Sequence, residues 1–311
     1  MKPDVTICEM APRDGLQMLN RSASIPLEDR VALVAALQRA HLQYIEAGAF
    51  VSPRRVPAMA DSADLFARLS PYAGELAALV PNLAHFERCA AAPNVDTVAL
   101  FVSASPWYAL ANTRMTVEEA LSAAAEVAVA AVARGYRVRA HVSGAFRDLT
   151  DANGETAAAD TAQVCARLRQ THTATVIVLA DTDGRATEAD VQRVISRVDG
   201  AMGLDGIGVH LHDRDGNGLA KARAAYALGV RVFDAAAGGI GGNPTVLADA
   251  AGNVATEALV RMLEAQGART GIDWEALIDA GAIVARMAER VGDPPPPSAV
   301  LAAALDERNS S

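Results

Sequence analysis

Eight times between residues 5 and 265, a short run rich in Val, Ile, Leu and Ala gives way to a stretch with helical periodicity. No other feature of the chain restricts its fold as much. The spacing predicts strands over 5–10, 44–50, 76–81, 97–103, 137–143, 175–180, 207–212 and 230–235. It predicts helices over 27–41, 60–69, 83–91, 117–134, 156–170, 188–197, 219–228 and 255–265. Strict alternation makes the strands parallel, because each helix returns the chain to the starting edge. Eight such units fit a closed (β/α)8 TIM barrel. An open doubly wound sheet uses fewer strands and carries a G-x-G-x-x-G turn after the first, which is absent here. The fold class expected is therefore α/β, a (β/α)8 barrel with extra C-terminal helices. Residues 1–270 are expected to form the catalytic barrel. Residues 271–311 are expected to form a helical extension packing on it, with a helix over 274–291, a stiff four-proline link at 294–297 and a last turn or two over 298–305.

Hydrophobic residues make up 51% of the chain and aromatics only 4%, so the core must be aliphatic, as suits parallel strands under Ala-rich helices. The net charge is −9, from 28 basic and 37 acidic residues, with no basic run. Nucleic acid and anionic membranes are poor partners for such a surface. Cys8, Cys89 and Cys165 form no CxxC pair, which argues for a reducing compartment and against a disulfide framework or a zinc–thiolate site. The Met-Lys-Pro-Asp start lacks a signal-peptide pattern, and no apolar run approaches membrane-spanning length. A soluble, cytoplasmic protein is expected.

Unusual polar residues gather at the C-terminal ends of the expected strands, where barrel enzymes place their chemistry. Arg13 and Asp14 close the first strand, and Glu46 lies inside the second. His141 and Ser143 share a face of the fifth, Asp181 and Asp183 end the sixth, and His210 and His212 end the seventh beside Asp213. Asn253 opens the helix after the eighth. Each has a plainer explanation. Arg13 and Asp14 suit a surface turn equally well, and Glu46 suits a structural salt bridge to Arg13. Asp181 and above all Asp183 suit loop caps, and Asp234 a hydrogen-bonding strut. Asn253 suits an N-cap, and His141 a packing or supporting role. Convergence on one barrel end, not any single residue, carries the functional reading. One carboxylate, two imidazoles and an amide oxygen make a mixed O/N site suited to Mg2+ or Mn2+ and an oxygen-rich substrate. A metal chelating a hydroxyl and a carbonyl acidifies the hydroxyl, and Arg13 is placed to stabilise an enolate.

The segment Glu9-Met-Ala-Pro-Arg-Asp-Gly-Leu-Gln17 resembles the first-strand signature of the hydroxymethylglutaryl-CoA lyases. Ile45-Glu-Ala-Gly-Ala-Phe-Val-Ser-Pro-Arg-Arg-Val-Pro-Ala-Met-Ala-Asp61 is similar to their second-strand segment. Pro81-Asn82, Ala180-Asp-Thr-Asp-Gly184, His210-Leu-His-Asp213 and Gly252-Asn-Val-Ala-Thr-Glu257 follow in the same order, so the resemblance spans about residues 4–265. It implies Asp14, His210, His212 and Asn253 as metal ligands and Arg13 as the enolate-stabilising cation. It implies Glu46 as a carboxylate that assists proton movement and orients Arg13, with His210 sharing in proton transfer. Arg54 would face CoA phosphates or a substrate carboxylate, and His141, Ser143, Asp181 and Asn243 would line the substrate pocket. The resemblance also points to an acyl-CoA substrate and a homodimer.

One departure stands out. The lyases carry a Gly-Gly-Cys-Pro loop after the eighth strand whose cysteine moves a proton, whereas this chain reads Gly241-Gly-Asn243-Pro244. Asparagine cannot supply a proton near neutral pH. The cysteine-bearing stretch after the lyases' fifth strand is also altered, to His141-Val-Ser-Gly-Ala-Phe146. The expectation is a divalent-metal-dependent carbon–carbon lyase cleaving a 3-hydroxyacyl-CoA by retro-Claisen/aldol chemistry. A changed proton relay or a changed substrate comes first among explanations for the missing thiol, and an inactive paralogue last. The rivals are a Claisen-condensing acyltransferase run in the other direction and a non-catalytic binding barrel.

Overall fold

A computed structural model describes residues 3–19, 25–150, 157–171, 176–242, 251–291 and 298–309. Eight parallel strands close into a barrel in sequence order: β1 (Thr6–Glu9), β2 (Tyr44–Ala49), β3 (Glu75–Leu79), β4 (Thr97–Ser103), β5 (Arg137–Ser143), β6 (Val176–Ala180), β7 (Ile207–His210) and β8 (Val232–Ala235). The ring closes through β1 and β8, with Cys8 opposite Asp234. The eight-unit expectation holds. The helices that return the chain run Leu27–Arg39, Ser62–Arg68, Leu83–Ala90, Val117–Ala133, Ala157–Thr171, Glu188–Met202, Gly218–Ala227 and Thr256–Ala265. Local chemistry sets several of their starts. Pro26 precedes Leu27, with Glu28 and Asp29 in the positively polarised first turn. Thr116 with Glu119, and Thr187 with Asp190, form reciprocal caps that satisfy exposed backbone N–H groups.

Side-chain alternation divides the barrel wall. Ile7, Ile45, Leu76, Val98, Leu100, Val138, Ile177, Leu179, Ile207, Val209 and Phe233 belong to one aliphatic cluster with the apolar faces of the helices. Residues of the opposite phase point inward, and there the apolar cluster is small: Cys8, Met10, Tyr44 and Ala77, with Val232 against it. Beside it the interior carries buried polar residues, among them Glu46, Arg139, His141, His210 and Asp234. Barrel interiors are ordinarily filled by bulky branched residues, so a charged interior has to be paired within itself.

Four local differences from the sequence expectation matter. Strand β7 stops at His210, and His212 forms an isolated antiparallel bridge with Asn253, because the chain is turning there to meet the loop after β8. Arg13 and Asp14, just past the first strand as expected, lie in a buried π-helical turn, Ala11–Gly15, where a surface turn had been the plainer reading; Pro12 has no N–H, and the N–H of Gly15 reaches back to the Met10 carbonyl at 3.1 Å. A helix over Pro106–Thr113 was not expected, although Ser105 caps it and Pro106 occupies its first turn. The register of β2 against β3 slips between Glu46 and Gly48, and such a bulge re-aims the neighbouring side chains.

After the barrel, helix Trp274–Arg290 packs against Leu27–Arg39 and against the Ala237–Gly239 turn that follows β8, and helix Ala299–Asn309 lies on both Trp274–Arg290 and Thr256–Ala265. The four-proline link falls outside the described residues. Among the described residues no helix is long and apolar enough to cross a membrane.

Candidate metal centre and active site

The turn after β1, the ends of β2, β5 and β7, and the loop after β8 bring their polar residues to one place. Arg13 Nε donates to Glu46 Oε1 at 2.5 Å, and its Nη1 donates to Asp14 Oδ1 at 2.7 Å. Gln17 Nε2 also donates to Asp14 Oδ1, at 2.9 Å, and Asn253 Nδ2 donates to Asp14 Oδ2, at 2.9 Å. His210 Nε2 and His212 Nε2 face each other at 3.2 Å, and His210 Nε2 is 3.9 Å from Asp14 Oδ2. Asp14, His210 and His212 each offer one ligand atom, and these atoms lie within 4.8 Å of one another. All three residues are buried.

A divalent cation fits this donor set. Ligand atoms at right angles, each about 2.1 Å from one ion, are about 3 Å apart, close to the spacing of the two imidazole nitrogens. The charges agree as well: among the described residues around the two histidines, the buried carboxylates of Asp14, Glu46 and Asp234 stand against the guanidiniums of Arg13 and Arg139. With the histidines neutral, negative charge is left over in a region where it is costly. His212 Nδ1 is buried without a hydrogen-bond partner, so that ring lacks the anchor on its far side that His210 has.

A second cluster, His141, His210 and Asp234, also brings three ligand atoms together. There the cation is already supplied by the protein, since Arg139 Nη2 hydrogen-bonds Asp234 Oδ1. Asp234 Oδ2 meets His210 Nδ1 at 3.1 Å, so that Nδ1 carries the proton and Nε2 is left to face the other cluster. The Asp14 cluster is therefore the candidate metal centre.

The electrostatics follow from this packing. Burial penalises ionised Asp14, but Arg13 and the two histidines outweigh it and hold the carboxyl below the usual range. Burial acts against Glu46 as well, and Arg13, with His141 and Arg139, more than reverses it. Burial and the neighbouring His210 push His212 down to about 3, so it stands as a neutral ligand at physiological pH. Burial lowers His210, but the hydrogen bond and charge of Asp234 bring it back above its ordinary value.

Several sequence-predicted residues join this centre and others do not. Arg13, Asp14, Glu46, His210, His212 and Asn253 converge. Asn253 is not an N-cap: Ala255 occupies that position, and the Asn253 amide nitrogen is shared between Asp14 and the Ile240 carbonyl. His141 sits between Glu46 Oε2, at 3.3 Å, and Asp234 Oδ2, at 3.7 Å. Ser143 is half-buried at the end of β5, where its carbonyl accepts from Ser103 Oγ. Asp181 does not point to a ligand, because its two oxygens are taken by Ala186 N and by Lys221 Nζ in a fully buried pair. Asp183 accepts from Arg185 N, as a loop cap would. Arg54 is exposed in the turn after β2. Asn243 lies outside the described residues.

Sequence reasoning missed three contributors. Arg139 shares the inward phase of His141 and was detectable by the argument that singled out Glu46, a charge among apolar strand residues. Tyr44 donates its hydroxyl to Glu46 Oε2 at 3.0 Å. Lys221 reaches from helix Gly218–Ala227 to Asp181, the Gly184 carbonyl and the His212 carbonyl, which fixes the backbone at His212; nothing in an Ala-rich helix announced it. Burial pushes the thiols of Cys8, Cys89 and Cys165 up to about 12, so no described cysteine offers a reactive thiol.

Comparison with known proteins agrees with this geometry. The model of the HMGL-like family matches residues 4–284. The 3-hydroxy-3-isohexenylglutaryl-CoA/hydroxymethylglutaryl-CoA lyase of Pseudomonas aeruginosa is 37% identical over 278 residues, covering 89% of this chain and 90% of that protein. A crystal structure of hydroxymethylglutaryl-CoA lyase from Pseudomonas aeruginosa superposes with a TM-score of 0.89 at 34% identity, covering 98% of this chain and 99% of that one. An HMG-CoA lyase from Acinetobacter baumannii in complex with coenzyme A and 3-methylmalate gives a TM-score of 0.86 at 30% identity, covering 96% and 94%.

Proposed function

The chain belongs to the HMGL-like family, and from that premise we propose that it is a divalent-metal-dependent carbon–carbon lyase acting on a 3-hydroxyacyl-CoA of the hydroxymethylglutaryl-CoA type. The observation that carries this reading is the convergence of the Asp14, His210 and His212 ligand atoms within 4.8 Å beside the Arg13 guanidinium. Asp14, His210 and His212 would hold the ion, with Asn253 alongside. Mg2+ or Mn2+ suits oxygen-rich ligation with no thiolate at hand. When bound, the ion supplies Lewis acidity toward the hydroxyl and carbonyl oxygens of the substrate.

The chain's own groups do the rest. With its Nε2 facing the ion position and its Nδ1–H on Asp234, His210 has no free lone pair, so the hydroxyl proton passes to the neighbouring His141–Glu46 pair. As the carbon–carbon bond breaks, its electron pair passes to the departing acyl group as an enolate. The Nε and Nη1 of Arg13 are committed to Glu46 and Asp14, which leaves its Nη2 edge to donate to the enolate oxygen. Glu46 holds that edge in place from 2.5 Å away. His141, 3.3 Å from Glu46 Oε2, forms with it a pair able to pass a proton in the absence of the loop thiol. Residues 1–270 carry this chemistry in our reading, and in the extension over 271–311 the helix Trp274–Arg290 braces the turn after β8.

Supplying 3-hydroxy-3-methylglutaryl-CoA and longer branched 3-hydroxyacyl-CoAs, with Mg2+ or with EDTA, tests the proposal. Metal-dependent cleavage is expected, and Arg13→Met should lower kcat by about 10²- to 10³-fold, the usual cost of losing an oxyanion donor. Cleavage of none of these thioesters, together with condensation of acetyl-CoA onto a 2-oxo acid, would favour the synthetic direction instead.

A further inference from the structure

Arg139 lies inside the barrel on β5, buried and in contact with both halves of the site. Its Nη2 hydrogen-bonds Asp234 Oδ1, and the other oxygen of Asp234 meets His210 Nδ1 at 3.1 Å. Its guanidinium carbon stands 4.5 Å over the centre of the Tyr44 ring, and the Tyr44 hydroxyl donates to Glu46 Oε2, whose partner oxygen holds Arg13. Its Nη1 contacts Cys8 Sγ at 2.8 Å, which pins the planar group from a third side.

We propose that Arg139 and Asp234 act as a positioning pair: one buried guanidinium sets both the orientation of His210 toward the metal centre and the placement of Glu46 behind Arg13. This inference rests on the metal-dependent reading of the same site. Neither residue touches the metal position or the expected enolate position. Arg139 holds one oxygen of Asp234, which leaves the other to accept from the Nδ1–H of His210 and keeps the Nε2 lone pair aimed at the Asp14 cluster. Planarity matters as much as charge, since the guanidinium face lies on Tyr44 while its edge bonds Asp234. His141, two residues along β5, lies between Asp234 and Glu46 and cross-links the two arms.

The test uses the whole chain and three variants, Arg139→Met, Arg139→Lys and Asp234→Asn, each checked for fold by circular dichroism. In metal-free protein the imidazole N–H of His210 should give a downfield, exchange-protected resonance in 15N-histidine spectra. Arg139→Met and Asp234→Asn are expected to lose it, and Arg139→Lys to retain part of it. Calorimetric titration with Mn2+ should show about a 10- to 100-fold weaker site in Asp234→Asn, the usual cost of removing a partner that orients a metal-bound histidine. Should Arg139→Met fail to fold, Asp234→Asn alone decides. A folded Asp234→Asn that keeps the resonance and binds Mn2+ within about 2-fold of the unmodified protein overturns the proposal, whatever the activity. An unmodified protein that binds no Mn2+ instead overturns the metal-dependent reading on which it rests.

Discussion

Arg13 Nε and Glu46 Oε1 meet at 2.5 Å inside the barrel, tying the turn after β1 to the bulged end of β2. Neither partner is open to water, so each depends on the other for its charge. Breaking a buried ion pair by removing one partner ordinarily costs about 3–5 kcal/mol. Arg13 would keep Asp14, which places Glu46→Gln near the lower end, at about 3 kcal/mol. Burial raises the Glu46 carboxyl, but Arg13 and the groups around it hold it well below its ordinary 4.5. A depressed carboxyl stabilises the folded state above the unfolded value, and that stability fades as pH falls through the folded one. Urea denaturation should therefore show a wide gap between wild type and Glu46→Gln at pH 7, narrowing below about pH 4.5. An equal gap at pH 7 and pH 3.5 would contradict the pairing.

Gly241 adopts φ +146°, and a Cβ built there would stand 1.9 Å from Asn253 Nδ2 and 3.0 Å from Asp14 Oδ2. Gly241→Ala should displace the Asn253 amide from Asp14 while leaving the barrel intact, because the strands do not pass through this loop. Mn2+ affinity is expected to fall about 10-fold or more, in the range for disturbing a ligand's supporting contacts. Unchanged affinity in the folded variant would show that Asn253 is dispensable to the centre.

Glu257, in the first turn of helix Thr256–Ala265, is buried beneath the turn after β8, where it accepts from Gly238 N. Burial pushes its carboxyl up to about 7 from 4.5. In the folded chain the proton is held more tightly than in the unfolded one. Stability should therefore decline as pH rises from about 4.5 to about 7 and level off above. Glu257→Gln should flatten part of that decline and be at least as stable as wild type at pH 8, as chemical denaturation across pH would report. Glu9, also raised to about 7 by burial, contributes to the same decline. Parallel stability curves for variant and wild type would count against a protonated Glu257.

The barrel was legible because a short apolar run followed by a helical period, repeated eight times, leaves little topological choice. Most of the metal centre was legible for a related reason: Glu46 and His210 stand out in strands that otherwise bury only apolar side chains. Sequence was weaker wherever a partner far along the chain decides the role. Asp181 looked like a pocket residue until Lys221, 40 residues away, was seen to occupy it. Asn253 had the position of a cap, but its partner is Asp14, at the other end of the chain. The Pro106–Thr113 helix was hidden by its shortness, although Ser105 and Pro106 carry an ordinary helix-start signature. Arg139 stood out by the same test as Glu46, but one charge in a strand does not reveal which carboxylate it meets across a barrel.

An anomalous difference map from a Mn2+-soaked crystal reads directly where the cation binds. One peak is expected, within bonding distance of His210 Nε2, His212 Nε2 and an Asp14 oxygen, with Arg139 still on Asp234. A peak seated instead between His141 and Asp234, or no peak inside the barrel, would contradict it.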